Sequence, residues 1–230
     1  MANRNLELLT AVARLLSPLL DELVFVGGCT TALLITDPAA AEVRPTYDVD
    51  SIGEITSYAE YVAFSERLRK LGFAEDQSEG APICRWVYGE IRLDVMPTDE
   101  KILGFSNRWY KSALKNARRV QLENDLTIRV ITAPLFLATK LEAFKGRGKN
   151  DYFASHDLED IIAVIDGRPS LLDEVGHAPK DLKVYIAHEI HRLMEKPEFK
   201  DALPGYLLPD PASQARLGTL LKTLRGLGGV

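Results

Sequence analysis

Apolar residues between positions 5 and 20 fall at Leu6, Leu8, Leu9, Val12, Leu15, Leu16 and Leu19, the spacing of one helical face. Pro18 lies inside this stretch and is expected to kink or end the helix. Leu23-Val24-Phe25-Val26 is a short apolar run of strand formers, stopped by Gly27-Gly28. A short helix over 30–35 and a loop from Asp37-Pro38 to Pro45 follow. Tyr47-Asp48-Val49-Asp50-Ser51-Ile52 alternates in character and predicts a strand. Residues 57–71 predict a helix with Ser57 as N-cap and Gly72 as its stop. Residues 83–88 and 91–96 predict a hairpin turned at Gly89-Glu90. Residues 107–116 predict a helix, and 118–122 and 126–131 predict strands. After Pro134 the period becomes helical throughout, with helices predicted over 135–144, 155–165, 181–195 and 212–227. The simplest organisation is an α+β core over 1–131, followed by a helical region over 132–230 that packs on the core. No internal repeat or low-complexity segment interrupts it.

Composition narrows the class. The chain has 230 residues, 46% of them apolar and 27% charged, enough to bury a substantial core in a soluble protein. No apolar run reaches the roughly 18 residues of a membrane span, and the N-terminus lacks the pattern of a signal peptide. Cys29 and Cys84 are the only cysteines; they predict free thiols in a reducing cytoplasm rather than a disulfide framework. The net charge of −5 is unevenly spread: residues 101–149 hold eleven basic and three acidic side chains, a local excess of +8. Such a stretch attracts phosphates or forms ordinary solvated helix faces.

The chemistry centres on carboxylates. Asp48 and Asp50 are two apart on a predicted strand, so both leave the same face. Side-by-side carboxylates repel unless a cation lies between them, and a hard divalent ion prefers such oxygen ligands. Asp94 lies on a second strand, between Leu93 and Val95, whose side chains point to the opposite, core face. Three carboxylates from two strands suit a pair of metal ions about 3.5–4 Å apart, the arrangement used for in-line displacement at phosphorus. Upstream, Gly27 and Gly28 let backbone N–H groups approach a phosphate, with Thr30 and Thr31 adding hydroxyls and the next helix its N-terminal end. Taken singly, a Gly-Gly is usually a turn and an Asp-x-Asp a solvated strand edge; their order along the chain is what is specific.

Downstream, Lys140, Phe144 and Arg147 lie near one helical face, and Asp157 and Asp160 are neighbours on another helix. They suit either a phosphate-facing lysine or a structural ion pair between packed helices. His188 and His191, three apart on a helix, have no third ligand in view and suggest surface histidines. Trp86 and Trp109 are candidates for base stacking, Trp86 more readily a core residue.

The order strand, Gly-Gly, helix, Asp-x-Asp strand, single-Asp strand resembles the nucleotidyltransferase fold of the DNA polymerase beta superfamily. Val26-Gly27-Gly28 resembles its glycine motif, Tyr47-Asp48-Val49-Asp50-Ser51 its metal motif, and Arg92-Leu93-Asp94-Val95 its third carboxylate. Arg44-Pro45-Thr46-Tyr47-Asp48-Val49-Asp50 is similar to the Arg-x-Ser-x-Asp-x-Asp pattern of AbiEii/AbiGii toxin-type nucleotidyltransferases. Lys140-Leu141-Glu142-Ala143 and Asp157-Leu158-Glu159-Asp160 resemble their downstream helices. The chain departs from that pattern at Cys29, where Ser or Thr is usual, at Thr46 for Ser, and at His156 where Arg is common.

The resemblance implies a mixed sheet flanked by helices with a C-terminal helical region. It further implies magnesium-dependent (or manganese-dependent) transfer of a nucleoside monophosphate from a nucleoside triphosphate, such as ATP, to an acceptor hydroxyl. The acceptor would be the tRNA 3′ end or other RNA, or a protein hydroxyl, in a cytoplasmic toxin-antitoxin setting with an antitoxin partner. Asp48, Asp50 and Asp94 would hold metal. Gly27, Gly28, Thr30, Arg44, Thr46 and Lys140 would bind nucleotide, and Lys140, Asp157 and Asp160 would join the catalytic set. The alternatives are a nucleotide-binding or partner-binding module without turnover and a metal-dependent phosphohydrolase.

Overall fold

The computed structural model describes residues 3–229. The chain forms two compact units, one of Met1–Ala32 with Arg44–Thr132 and one of Leu33–Val43 with Ala133–Val230.

The first unit opens with α1 (Arg4–Leu15), capped by the Asn3 side chain, which accepts from the N–H groups of Asn5 and Leu6. Leu9, Val12 and Ala13 form its buried face. The predicted helix stops early: Ser17–Glu22 is a 3-10 turn with Pro18 in its first turn. A proline there has no N–H for the helix ladder, and its ring crowds the carbonyl four residues back.

A mixed seven-stranded sheet follows, in the order β3-β4-β5-β2-β1-β7-β6. The strands are β1 (Leu23–Val26), β2 (Val49–Gly53), β3 (Ala74–Glu75), β4 (Arg85–Tyr88), β5 (Ile91–Pro97), β6 (Arg118–Glu123) and β7 (Leu126–Val130). β1 is buried at every residue, as expected of a central strand covered on both faces. It pairs antiparallel with β2 and parallel with β7, while β2 and β5 run parallel. The edges are blunted: β3 has two residues, and β6 alternates half-buried with exposed positions and carries Arg118, Arg119 and Glu123. The β4–β5 hairpin pairs Tyr88 with Ile91, so Gly89-Glu90 is a two-residue turn. Gly89 has φ +56°, a value that the hairpin-favoured turns require at their first residue. The described residues of this unit also form the helices α2 (Thr31–Leu34), which begins at the unit's end, α3 (Tyr58–Lys70), α4 (Glu100–Leu103) and α5 (Tyr110–Lys115). Ser57 caps α3 by accepting from the Glu60 N–H, as its sequence predicts.

The second unit is helical: α6 (Ala133–Arg147), α7 (His156–Gly167), α8 (Leu171–Gly176), α9 (Lys180–Met194), α10 (Pro197–Ala202), α11 (Pro211–Ala215) and α12 (Leu217–Gly228). α6 is buried continuously from Ala133 to Leu141 and packs on α7 and α9. The predicted helix over 212–227 is broken at Arg216, whose guanidinium reaches Asp166 and Asp37. Residues 33–43 join this unit through the Thr36 and Asp37 N–H groups, both donating to the Gly167 carbonyl.

Candidate functional site

In the first unit, strand pairing sets three side chains in a row. Asp50 on β2 is the Cα partner of Asp94 on β5, and Asp94 is the partner of Arg85 on β4. Registered neighbours on adjacent strands share a face, so two carboxylates and a guanidinium lie side by side. Asp48 sits on the bend just before β2, two residues from Asp50. Arg85 binds Asp94 as a fork, Nε donating to Oδ1 at 2.7 Å and Nη2 to Oδ2 at 2.8 Å. The same Nη2 donates to Asp48 Oδ2 at 2.7 Å. Such bidentate, charge-assisted bonds are among the stronger ones in proteins. The hydrogen bonds to Asp94 and then the charges of Asp94, Asp48 and Asp50 hold the guanidinium protonated against its partial burial.

Asp94 is buried, with 6% of the residue exposed. The expected alternation, with Leu93 and Val95 in the core, holds, but the Asp94 face is covered as well. Sequence reading did not single out Arg85. Its signal was the hairpin: counting back from the two-residue turn at Gly89-Glu90 sets Arg85 opposite Asp94. Neighbouring Cys84 is buried, and that burial, then the charges of Asp94 and Asp50, pushes its thiol up to about 12. Cys84 therefore stays a neutral thiol, as does any cysteine too basic to ionise near neutrality.

Gly27 touches the same cluster. A Cβ added there would lie 1.9 Å from Asp50 Oδ2, and its backbone sits at φ +70°, ψ −167°, a region essentially restricted to glycine. The strand therefore turns within contact of the Asp50 carboxylate because residue 27 has no side chain. Gly28, Cys29 and Thr30 form a buried 3-10 turn. The Thr30 hydroxyl donates to the Gly27 carbonyl at 2.8 Å and the residue is wholly buried, so its hydroxyl proton is engaged within the turn. α2 is a single turn, too short for the helix-end field expected of it. Among the described residues, the buried hydroxyls of Thr31 and Thr46 find no hydrogen-bond partner.

Asn5 on α1, fully buried, holds the approach to Asp48: its side-chain nitrogen donates to the Arg44 carbonyl at 2.9 Å and its oxygen accepts from the Thr46 N–H at 2.8 Å. Sequence reading did not single out Asn5. Tyr47 is 65% exposed, with the Arg4 guanidinium over its ring. Trp86 and Trp109 are buried, which leaves neither ring free to stack on a base.

Among the described residues, no three His, Cys, Asp or Glu side chains converge to hold a metal as they stand; Asp48 and Asp94 close on Arg85 instead. The donor set still fits a divalent cation. It consists of hard carboxylate oxygens, the glycine turn admits Asp50, and a cation, the guanidinium, already binds two of the three. A cleft of about 890 Å³ opens in this unit beside Glu22, Gly53, Thr98 and Lys111. Glu22, Gly53 and Thr98 lie at the strand ends opposite Gly27, and the cleft is lined by none of the three aspartates.

In the second unit, Lys140 on α6 faces α7, with Nζ 3.0 Å from Asp157 Oδ1 and 2.7 Å from Asp160 Oδ2. Arg147 adds a fork to Asp157 at 2.9 and 3.0 Å. Lys140, Asp157 and Asp160 are all buried. Burial alone would raise the Asp157 carboxyl, but the bonds from Arg147 and the charges of Lys140 and Arg147 outweigh it and hold the group below its usual value. The predicted trio is brought together as an ion-pair cluster in which Lys140 is engaged by both aspartates. His188 is exposed and His191 half-buried, beside Glu189 and Glu195 respectively. The basic run over 101–149 is partly consumed internally: Arg119 meets Asp21, Arg129 donates to the Asp21 and Leu114 carbonyls, and Lys145 meets Glu189. Among the described residues, no helix is long and apolar enough to cross a membrane.

No protein-family model matches the chain, and no curated protein matches its sequence. Solved structures do. An antigenic nucleotidyltransferase-like protein from Paracoccidioides brasiliensis superposes with a TM-score of 0.53 at 20% identity, covering 88% of this chain and 93% of that one. A proposed nucleotidyltransferase from H. pylori covers the whole of this chain and 93% of its own at 11% identity, with a TM-score of 0.46. The first of these likenesses, together with the mixed seven-stranded sheet and the helices that follow it, establishes that the chain has a nucleotidyltransferase-like fold.

Proposed function

We propose that the protein transfers a nucleoside monophosphate from a nucleoside triphosphate to an acceptor hydroxyl, using a divalent metal held by Asp48, Asp50 and Asp94. The observation that supports this most is the row that sets Asp50 against Asp94, with Gly27 pressed onto the Asp50 carboxylate, in a nucleotidyltransferase-like fold. A bound magnesium ion would supply charge neutralisation for the triphosphate and activation of the acceptor hydroxyl. The chain's own part is positional. Gly27 leaves room for Asp50, and the Asn5 bonds hold the segment that carries Asp48. The acceptor oxygen bonds to the α-phosphorus as the bond to pyrophosphate breaks, and the acceptor's proton passes to the carboxylate group at Asp94.

The resemblance favours RNA, the tRNA 3′ end in particular, over a protein hydroxyl as acceptor, and a toxin-antitoxin setting with a neutralising protein partner. In this reading Lys140, Asp157 and Asp160 are a structural cluster of the helical unit, because the Lys140 ammonium already has two carboxylates. A second reading, a nucleotide-binding module without turnover, draws support from Arg85, which satisfies two of the carboxylates with no metal at all.

The test incubates the protein with magnesium, each α-labelled nucleoside triphosphate, and total RNA or cell protein as acceptor, with Asp48→Ala in parallel. Label joining an acceptor in the wild type alone supports transfer and identifies base and acceptor class. Nucleotide binding without transfer favours the module.

A further inference from the structure

The carboxylates read as metal ligands are already bound to a cation that belongs to the chain. Arg85 spans Asp94 with two bonds and Asp48 with a third, all between 2.7 and 2.8 Å. Its side chain is 15% exposed and that of Asp94 9%, so the fork lies largely out of water. A guanidinium so placed removes the repulsion that three neighbouring carboxylates would otherwise suffer. It also occupies the oxygens of Asp94 that a metal would need. Both roles follow from strand register, since Arg85 is fixed opposite Asp94 by a two-residue turn.

We infer that Arg85 is a resident counter-cation that competes with the divalent metal for Asp48 and Asp94, so that metal enters only as the Arg85 fork opens. This rests on the proposed metal role of the three aspartates and adds to it a positioning residue with a two-state pairing. In the metal-free state the carboxylates are paired with Arg85 and the protein is stable without metal. In the metal-bound state the guanidinium is released from Asp94 and Asp48. A competing cation lowers the apparent affinity of the metal by the fraction of molecules in which the fork is closed. Removing the guanidinium therefore tightens metal binding while destabilising the metal-free protein.

The experiment measures Mn²⁺ binding to the full-length protein by electron paramagnetic resonance, without nucleotide or acceptor. Wild type, Arg85→Gln, Arg85→Lys and Asp94→Asn are compared, and unfolding temperature is followed with and without Mg²⁺. Arg85→Gln is expected to bind Mn²⁺ about tenfold tighter or more than wild type. It should melt lower without metal and recover more with Mg²⁺ than wild type does. Arg85→Lys keeps one charge without the fork and should fall between, and Asp94→Asn should bind least. A measurement on the wild type alone covers the case in which Arg85→Gln does not fold. The Arg85 Nε–H resonance should be protected from exchange in the metal-free protein and lose that protection on Mg²⁺ titration. Equal or weaker Mn²⁺ binding by Arg85→Gln, with wild type binding metal, overturns the competition and leaves the metal role of the aspartates standing. Retained Nε–H protection in a wild type that has bound Mg²⁺ does the same. Absence of metal binding in every variant overturns both this inference and the metal-dependent function beneath it.

Discussion

Gly27 is the residue at which backbone and site chemistry meet. Its φ of +70° and ψ of −167° cost a residue with a side chain about 1–3 kcal/mol, and a methyl group there would overlap Asp50 Oδ2. Gly27→Ala is therefore expected to lose the proposed nucleotidyl transfer and to lower stability by at least the backbone cost. Urea unfolding together with the labelled-nucleotide assay checks this; a Gly27→Ala protein with wild-type activity would show that Asp50 does not need the turn. At this scale the sequence carried the charged groups well. Asp48, Asp50 and Asp94 are legible because a carboxylate on an apolar strand is conspicuous, and pattern alone sets Asp48 two residues from Asp50. Arg85 is less visible because its meaning depends on a partner nine residues away, through the register of a hairpin. The Thr30 bond is hidden for a related reason: a hydroxyl after Gly-Gly turns back to the Gly27 carbonyl as readily as outward, and only the 3-10 geometry decides.

Between elements, two contacts carry measurable weight. Asn5 ties α1 to the segment leading into β2 by bonding the Arg44 carbonyl and the Thr46 N–H. Asn5→Ala removes both partners at once. Leaving buried backbone groups without partners costs roughly 1–3 kcal/mol each where water does not replace the bond. The variant is thus expected to be roughly 2–3 kcal/mol less stable and to hold Asp48 less firmly, read as a lower urea midpoint with weakened Mn²⁺ binding. In the helical unit, the α6–α7 cluster makes stability depend on pH. Asp157 has a folded-state pKa below its ordinary value, so its contribution is fully present above the unfolded carboxylate pKa of about 3.9. It is lost as pH falls below that value, through the lower folded one. Asp157→Asn is expected to be about 3 kcal/mol less stable at pH 7, since it breaks one side of a buried pair. The gap to wild type should close as pH drops below about 4. Urea midpoints from pH 7 to pH 2.5 decide it: a constant gap would place the loss in packing rather than charge. Most of these elements were legible from period and caps. The short α4, α8 and α10 and the two-residue β3 were not, because a single turn of helix or one pair of rungs leaves too few residues to show a period.

Across the whole molecule, the class of fold could be read from the chain, but the order of the strands could not. Runs of strand pattern followed by runs of helical pattern imply an α+β fold; nothing local says that β1 lies between β2 and β7, or that β5 lies beside β2. Those pairings are non-local and arise from burial of β1 on both faces. The same holds for the division into units. The sequence has a change of character near residue 132, yet residues 33–43 belong with the helices far downstream, held by bonds that cross more than a hundred positions. Arg168 donates to the Leu34 carbonyl, the Gly167 carbonyl accepts from the Thr36 and Asp37 N–H groups, and Arg216 Nη2 meets Asp37 Oδ2 at 2.7 Å. Arg216 also binds Asp166 through Nε at 2.9 and 3.0 Å, which makes it the junction of three segments, at the break between α11 and α12. If the 33–43 segment is an integral part of this unit, Asp37→Ala should loosen helices that lie far from it in sequence. Amide hydrogen exchange is expected to speed up at the start of α12 and the end of α7. Arg216→Ala should do so more strongly, because it gives up Asp166 as well. Unchanged exchange in Asp37→Ala would mean that the bonds to the Gly167 carbonyl and from Arg168 hold the segment without it, and that the Asp37–Arg216 pair is only a surface contact. The graded outcome would instead locate the unit's cohesion in a charge network that no contiguous stretch of the chain contains.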